Sequence, residues 1–168
     1  QKMWKNVVED WQINPAADAV DLEAKQPFVD NGLDIHDPDR YYDPEFMARE
    51  WDQLWTRSWL IAGIETDIPE PGDYSVFRIG RESIIIVRQQ DASVKAMYNV
   101  CAHRGNQIVQ NDRGSVVQFT CAFHSWQYGL DGQCLHITDK ETFNPQMVKQ
   151  NPTLTSVHCE TFAGLVFI

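Results

Sequence analysis

Cys101-Ala102-His103 and Cys121-Ala122-Phe123-His124 each carry one thiol and one imidazole, and residues 104–120 separate them. This pairing of C-x-H with C-x-x-H decides how the rest of the chain is read. A [2Fe-2S] cluster in which two imidazoles replace two thiolates on one iron needs one Cys and one His from each of two loops. Each loop must reach both irons, giving a thiolate to one and an imidazole to the other. Paired thiolates stabilise the ferric state of their iron, whereas neutral imidazoles donate less charge, so the added electron settles on the His-bound iron and the potential rises. Cys101, His103, Cys121 and His124 are therefore the candidate ligands of such a cofactor.

Two Cys and two His can also hold a tetrahedral zinc ion. Structural zinc sites, however, usually pair Cys with Cys and His with His at short spacing, which this chain does not do. The spacing favours the cluster. Gly105 permits a close backbone turn whose N–H groups point at cluster sulfur. Ser125 reads as a turn residue, with a hydroxyl aimed at sulfur as the less favoured role. Arg104 either meets a carboxylate of another subunit or covers its loop.

Asn99-Val100-Cys101-Ala102-His103-Arg104-Gly105 and Phe119-Thr120-Cys121-Ala122-Phe123-His124-Ser125-Trp126 resemble the two cluster loops of Rieske proteins. The similarity extends through Pro71-Gly72-Asp73-Tyr74, the run from Ile84 to Arg88 and Phe162-Ala163-Gly164-Leu165-Val166-Phe167-Ile168. Across residues 40–168 the chain resembles the N-terminal Rieske domain of an aromatic-ring-hydroxylating oxygenase α subunit. That resemblance implies a mainly β fold, an antiparallel β-sheet sandwich with ligands on loops and a helical segment before it. It also implies that His103 and His124 face outward at the domain tip.

In this family a ferredoxin or reductase donates the electron, and a mononuclear Fe(II) of the parent dioxygenase or monooxygenase receives it. The expected partners are a neighbouring α subunit in a trimer, with a β subunit as a further candidate. The alternative is a free-standing Rieske ferredoxin, a carrier and no enzyme. The segment from Tyr41-Tyr42-Asp43-Pro44 through Trp59 resembles the helix that opens the oxygenase domain and favours the oxygenase.

Respiratory-type Rieske proteins tie the two loops with a disulfide, and Asn106 and Phe123 stand at those places here. They also carry a Ser two residues after the second His, whose hydroxyl bonds a cluster sulfur, and Trp126 stands there instead. Both departures imply a potential toward the lower end of the roughly −150 to +300 mV range of Rieske centres. A ferric iron withdraws electrons from its imidazoles, so reduction and proton uptake are expected to be coupled.

The mononuclear iron should have two His and a carboxylate. His36, His136 and His158 are far apart in sequence and read as ordinary surface or hydrogen-bonded residues. That second iron is expected outside this chain, and no Gly-rich dinucleotide fingerprint is present.

Fourteen basic against twenty-four acidic residues give a net charge of −10, which argues against a nucleic-acid role. With 168 residues and 43% apolar content, one cored domain is the simplest count. No stretch approaches the roughly 18 apolar residues of a membrane span, and Gln1-Lys2-Met3-Trp4 does not open a signal peptide. A cytoplasmic protein is expected, with Cys134 and Cys159 as free, partly buried thiols.

Residues 1–40 show no sustained period and read as an irregular or short-helical extension before a Rieske domain at 41–168. Asp43-Pro44 offers a helix start, with Met47, Trp51, Leu54 and Trp55 as a core-facing stripe. Strands are expected at 74–79, 82–89, 94–99, 116–120, 126–128 and 165–168, with both ligand segments between strands. The loop at 139–152 carries no assignable chemistry. A chain ending in an apolar, strand-like run reads as cut, with the catalytic domain missing.

Overall fold

The computed structural model describes residues 38–168. The expectation for residues 1–40 thus lies, up to residue 37, outside the described residues, as does His36. Two compact units divide the chain between Asp43 and Pro44. Within the first, Pro38–Tyr41 forms a 3-10 turn whose end is held by the Tyr42 N–H donating to the Asp39 carbonyl at 3.1 Å.

The second unit is built around β3 (Glu82–Arg88), which contains the uninterrupted run Ile84-Ile85-Ile86-Val87. A strand solvated on one face alternates apolar with polar residues, and this one does not. Ile85 and Val87 pack with Met97, Phe119, Trp126 and Tyr128, while Ile84 and Ile86 pack with Ile68, Ala96 and Val166. Both faces of β3 are therefore covered. Each fully buried Ile or Val of this run contributes about 1.5–3 kcal/mol of transfer free energy.

Around β3 lie β2 (Asp73–Ile79), β4 (Val94–Tyr98), β5 (Arg113–Ser115) and β9 (Ser156–Val157), in the antiparallel order β5-β2-β3-β4-β9. One face of this sheet is covered by β1 (Ile61–Ile64), β11 (Leu165–Phe167) and β10 (Glu160–Phe162), in the order β1-β11-β10. The other face is covered by β6 (Phe119–Thr120), β7 (Gln127–Tyr128) and β8 (Cys134–His136). The result is a three-layer, mainly β arrangement.

A helix does begin at Pro44, with α1 (Pro44–Glu50) continuing as a wider π turn over Trp51–Trp55. The expectation of a core-facing stripe there is corrected by the structure. Only Trp51 has a close seat, against Gly80, where an added Cβ would lie 2.6 Å from the indole. Met47, Leu54 and Trp55 are exposed, and this short helix buries none of its residues. The strand expected at 116–120 is also corrected. Val116 donates its N–H to Gly72 and the chain then leaves the sheet, so that Val117 is exposed and only Phe119–Thr120 remain a strand.

The outward face of the β1-β11-β10 sheet is largely apolar, with Glu160 beside Phe167 at one edge. Ile64, Leu165 and Phe162 form one cross-strand row and Ile61 and Phe167 another, on the side opposite the buried Val166. Phe162 is 75% exposed and Ile61 is 60% exposed.

The two ligand segments hang from the β-layers as loops with matching backbone bonds. Cys101 donates to the Asn106 carbonyl at 2.8 Å and accepts from Gly105 at 3.0 Å. Cys121 donates to the Trp126 carbonyl at 2.8 Å and accepts from Ser125 at 2.9 Å. Gly105 and Ser125, at φ of 73° and 58°, occupy the same left-handed corner. Ser125 thus takes the turn role.

The second loop is closed by the β6–β7 pairing of Phe119 with Tyr128 and Thr120 with Gln127. The first is closed by Asn99, a fully buried carboxamide. Its Oδ1 accepts from the N–H groups of Ile108 and Val109 at 2.8 and 3.0 Å, and its Nδ2 donates to the Val109 carbonyl at 2.9 Å.

Truncation Asn99→Ala strands these buried partners and is expected to cost about 2–4 kcal/mol in urea denaturation. Replacement Ser125→Gly relieves a left-handed side chain at some cost in chain entropy, and a gain of about 0.5–1 kcal/mol is expected by the same measurement.

Candidate metal centre

Cys101 and Cys121 sit at equivalent positions of the two loops, both buried, and near enough for each thiol to act on the other's ionisation. The imidazoles of His103 and His124 also meet, with ring centroids 4.6 Å apart at 65°. The four residues singled out by spacing are thus brought together two by two. They come as a sulfur pair and a nitrogen pair. Among the described residues, no three His, Cys, Asp or Glu side chains are placed to hold a single metal ion.

Burial pushes the Cys101 thiol up from its ordinary range, although the Tyr128 hydroxyl and the His103 N–H oppose this. Burial also acts on Cys121 but is outweighed by the backbone N–H groups of Phe123 and His124, by Cys101 and by Asn106, so its pKa is lowered. Of the two thiols, Cys121 is therefore the more readily ionised.

The imidazoles have different surroundings. His103 is stacked on Trp126 at 4.8 Å and 8°, and Phe143 meets both rings edge-on at 5.3 and 5.4 Å. Burial, then the charges of His124 and Arg104, lower its pKa and keep it neutral. Its Nδ1 is buried and has no hydrogen-bond partner. A neutral ring with a bare, buried nitrogen is a poor hydrogen-bonding group and a ready metal ligand. His124 is covered chiefly by Phe123, at 4.0 Å, and Phe123 is itself 58% exposed.

The sequence reading missed three contributors. Tyr128 sits on β7, fully buried, with its hydroxyl 3.2 Å from Cys101 Sγ and 3.2 Å from the Ala102 N–H that donates to it. Burial and the neighbouring Cys101 raise its pKa, so it stays protonated and is able to donate to Cys101 once that thiol is ionised. An aromatic hydroxyl four residues beyond His124 was the available signal. Asn106 was read only as a missing disulfide partner, yet its Nδ2 lies 3.8 Å from Cys121 Sγ. Phe143 arises in the loop dismissed above, where nothing in the sequence marks it.

The remaining expectations divide. His136 and His158 are exposed and separate from the four, with His158 edge-on to Trp59 at 5.9 Å. Cys134 and Cys159 are free thiols, and burial together with Glu160 pushes Cys159 up to about 11. Among the described residues, no helix is long and apolar enough to cross a membrane.

The bare Nδ1 of His103, the donor-rich sulfur pair and the facing imidazoles fit a [2Fe-2S] cluster of the mixed-ligand kind. Comparison with known proteins points the same way. The benzene 1,2-dioxygenase α subunit of Pseudomonas putida is 34% identical over 131 residues, covering 78% of this chain and 29% of the relative. The biphenyl dioxygenase α subunit of Paraburkholderia xenovorans is 36% identical over 122 residues, covering 72% and 27%.

Among solved structures, naphthalene 1,2-dioxygenase with indole in its active site superposes with a TM-score of 0.70 at 29% identity, over 76% of this chain and 29% of that one. The apo quaternary ammonium Rieske monooxygenase CntA gives 0.74 at 27% identity, over 80% and 39%. The chain spans about 30% of the length of the curated relatives it matches. Residues 58–157 match the Rieske [2Fe-2S] domain, so the sheet layers, the paired loops and the four side chains at their corners mark this chain as a member of the Rieske [2Fe-2S] family.

Proposed function

We propose that this chain is the electron-transfer domain of an aromatic-ring-hydroxylating oxygenase α subunit. Cys101 and Cys121 would bind one iron and His103 and His124 the other. The observation that carries the reading is the meeting of an imidazole pair beside a thiol pair, with a buried His103 Nδ1 that nothing else satisfies. When bound, the cluster supplies a one-electron relay.

The protein's own groups then have distinct tasks. Backbone N–H groups of His103, Phe123 and His124, with the Tyr128 hydroxyl, offset thiolate charge. Trp126 and Phe143 exclude water from His103. His124, screened chiefly by a half-exposed Phe123, offers the accessible route for an electron and for the proton on its outer nitrogen.

The donor in this reading is a ferredoxin or reductase, and the acceptor is a mononuclear iron in a neighbouring α subunit of a trimer, in the cytoplasm. Two observations favour an oxygenase domain over a free carrier. The dioxygenase subunits it matches are several times longer than the matched segment. The apolar row Ile64, Leu165 and Phe162 suits cover by the further polypeptide that such length would provide.

Anaerobic reconstitution with iron and sulfide tests the reading. The protein should take up about two iron atoms per chain, colour, and give a rhombic EPR signal on reduction. A folded protein that stays colourless and binds a single metal ion would overturn it. Above the pKa of the oxidised imidazoles, their N–H protons are lost on oxidation and regained on reduction. Film voltammetry should therefore show the potential falling with rising pH by up to about 59 mV per unit for each coupled proton. The substitution Tyr128→Phe removes a donor to Cys101 without changing ring size. It should lower the potential by about 40–60 mV, equivalent to about 1 kcal/mol of bonding favouring the reduced form.

A further inference from the structure

We propose that Asn106 is a positioning residue of the metal centre, joining the two ligand loops and raising the reduction potential by donating a side-chain N–H···S hydrogen bond to Cys121. The inference rests on the reading above, that Cys121 binds iron. Asn106 touches both loops at once. Its backbone carbonyl accepts the Cys101 N–H at 2.8 Å and so closes the first loop. Its side-chain Nδ2 crosses to the second loop, 3.8 Å from Cys121 Sγ, while also donating to the Gln107 carbonyl at 2.8 Å.

Chemistry fixes which end of the amide faces the sulfur. Both neighbours are acceptors, and only Nδ2 has hydrogens, one for each of them. The reversed amide would set Oδ1 against a carbonyl oxygen and a thiolate. The link also has a counterpart: Tyr128, rooted on the strand that follows the second loop, reaches Cys101 Sγ in the first at 3.2 Å. Each loop thus sends one neutral donor to the sulfur of the other.

The position gives the contact its significance. Residue 106 is where respiratory-type Rieske proteins place one half of the disulfide that ties their loops. Here a carboxamide spans the same gap without a covalent bond. A donor on a ligand thiolate draws electron density from the sulfur and favours the reduced, more negatively charged form.

The test compares the reconstituted wild type with Asn106→Ala and Asn106→Asp by film voltammetry and resonance Raman spectroscopy of the Fe–S(Cys) stretches. Asn106→Ala should weaken electron binding about threefold, which is about 28 mV at 59 mV per decade for a one-electron couple. Asn106→Asp keeps the size and replaces the donor with a charged acceptor, so its potential should fall further. An unshifted Asn106→Ala overturns the proposal, as does an Asn106→Asp potential no lower than that of wild type.

Pulsed EPR of wild type grown with 15N-asparagine keeps the question open to refutation if either variant loses its cluster. An exchangeable-proton and 15N coupling from the side-chain amide supports the bond, and its absence overturns it. A wild type that assembles no [2Fe-2S] centre would instead sink the functional reading, and this inference with it. A wild-type centre without the Asn106 signature would leave that reading standing.

Discussion

Two sulfurs placed side by side in a buried site repel each other once both are ionised, and this is the constraint around which the domain is arranged. Cys101 and Cys121 are each nearly fully covered, so water supplies little of the missing solvation. The chain supplies it from both loops. Backbone N–H groups turn toward sulfur because each loop bends through a left-handed corner, and neutral side chains arrive from the opposite loop. Burial without those donors would favour the neutral thiol and weaken metal binding.

Loops can hold such an arrangement only if their ends do not drift. The middle sheet gives that rigidity, since β3 is packed on both faces and the ligand-bearing layer rests on one of them. Asn99 transmits it to the first loop by binding Ile108 and Val109 from a position two residues before Cys101. On the other face, Arg88 is buried among the carbonyls of Glu65, Ile68 and Ala92 and the Glu65 carboxylate, pinning the strand end that no apolar residue could have satisfied. Such a fixed setting for the two loops suits the one-electron relay proposed above.

The four ligand candidates were legible because metal chemistry dictates both residue type and spacing, and Ile84 to Val87 was legible because a long apolar run has few uses. Other features left no such trace. β1, β8, β9 and β10 are two to four residues long, too short for alternation to register, and β1 and β9 depend besides on pairing with distant segments. The stripe of Met47, Leu54 and Trp55 followed helical spacing correctly and still proved exposed, because periodicity shows which residues share a face and not whether anything lies opposite. Phe143 reaches His103 from forty residues away in sequence, a contact made by tertiary folding alone.

The matching corners of the two loops carry one further implication. Because Cys101 aligns with Cys121 and Gly105 with Ser125, the backbone places His103 opposite Phe123 and Arg104 opposite His124. Superimposable main chains thus project their imidazoles from different rungs of the same turn. The unequal spacing offsets the two imidazoles by one residue along the shared bend, and the rings meet edge to face at 4.6 Å and 65° rather than as symmetry mates.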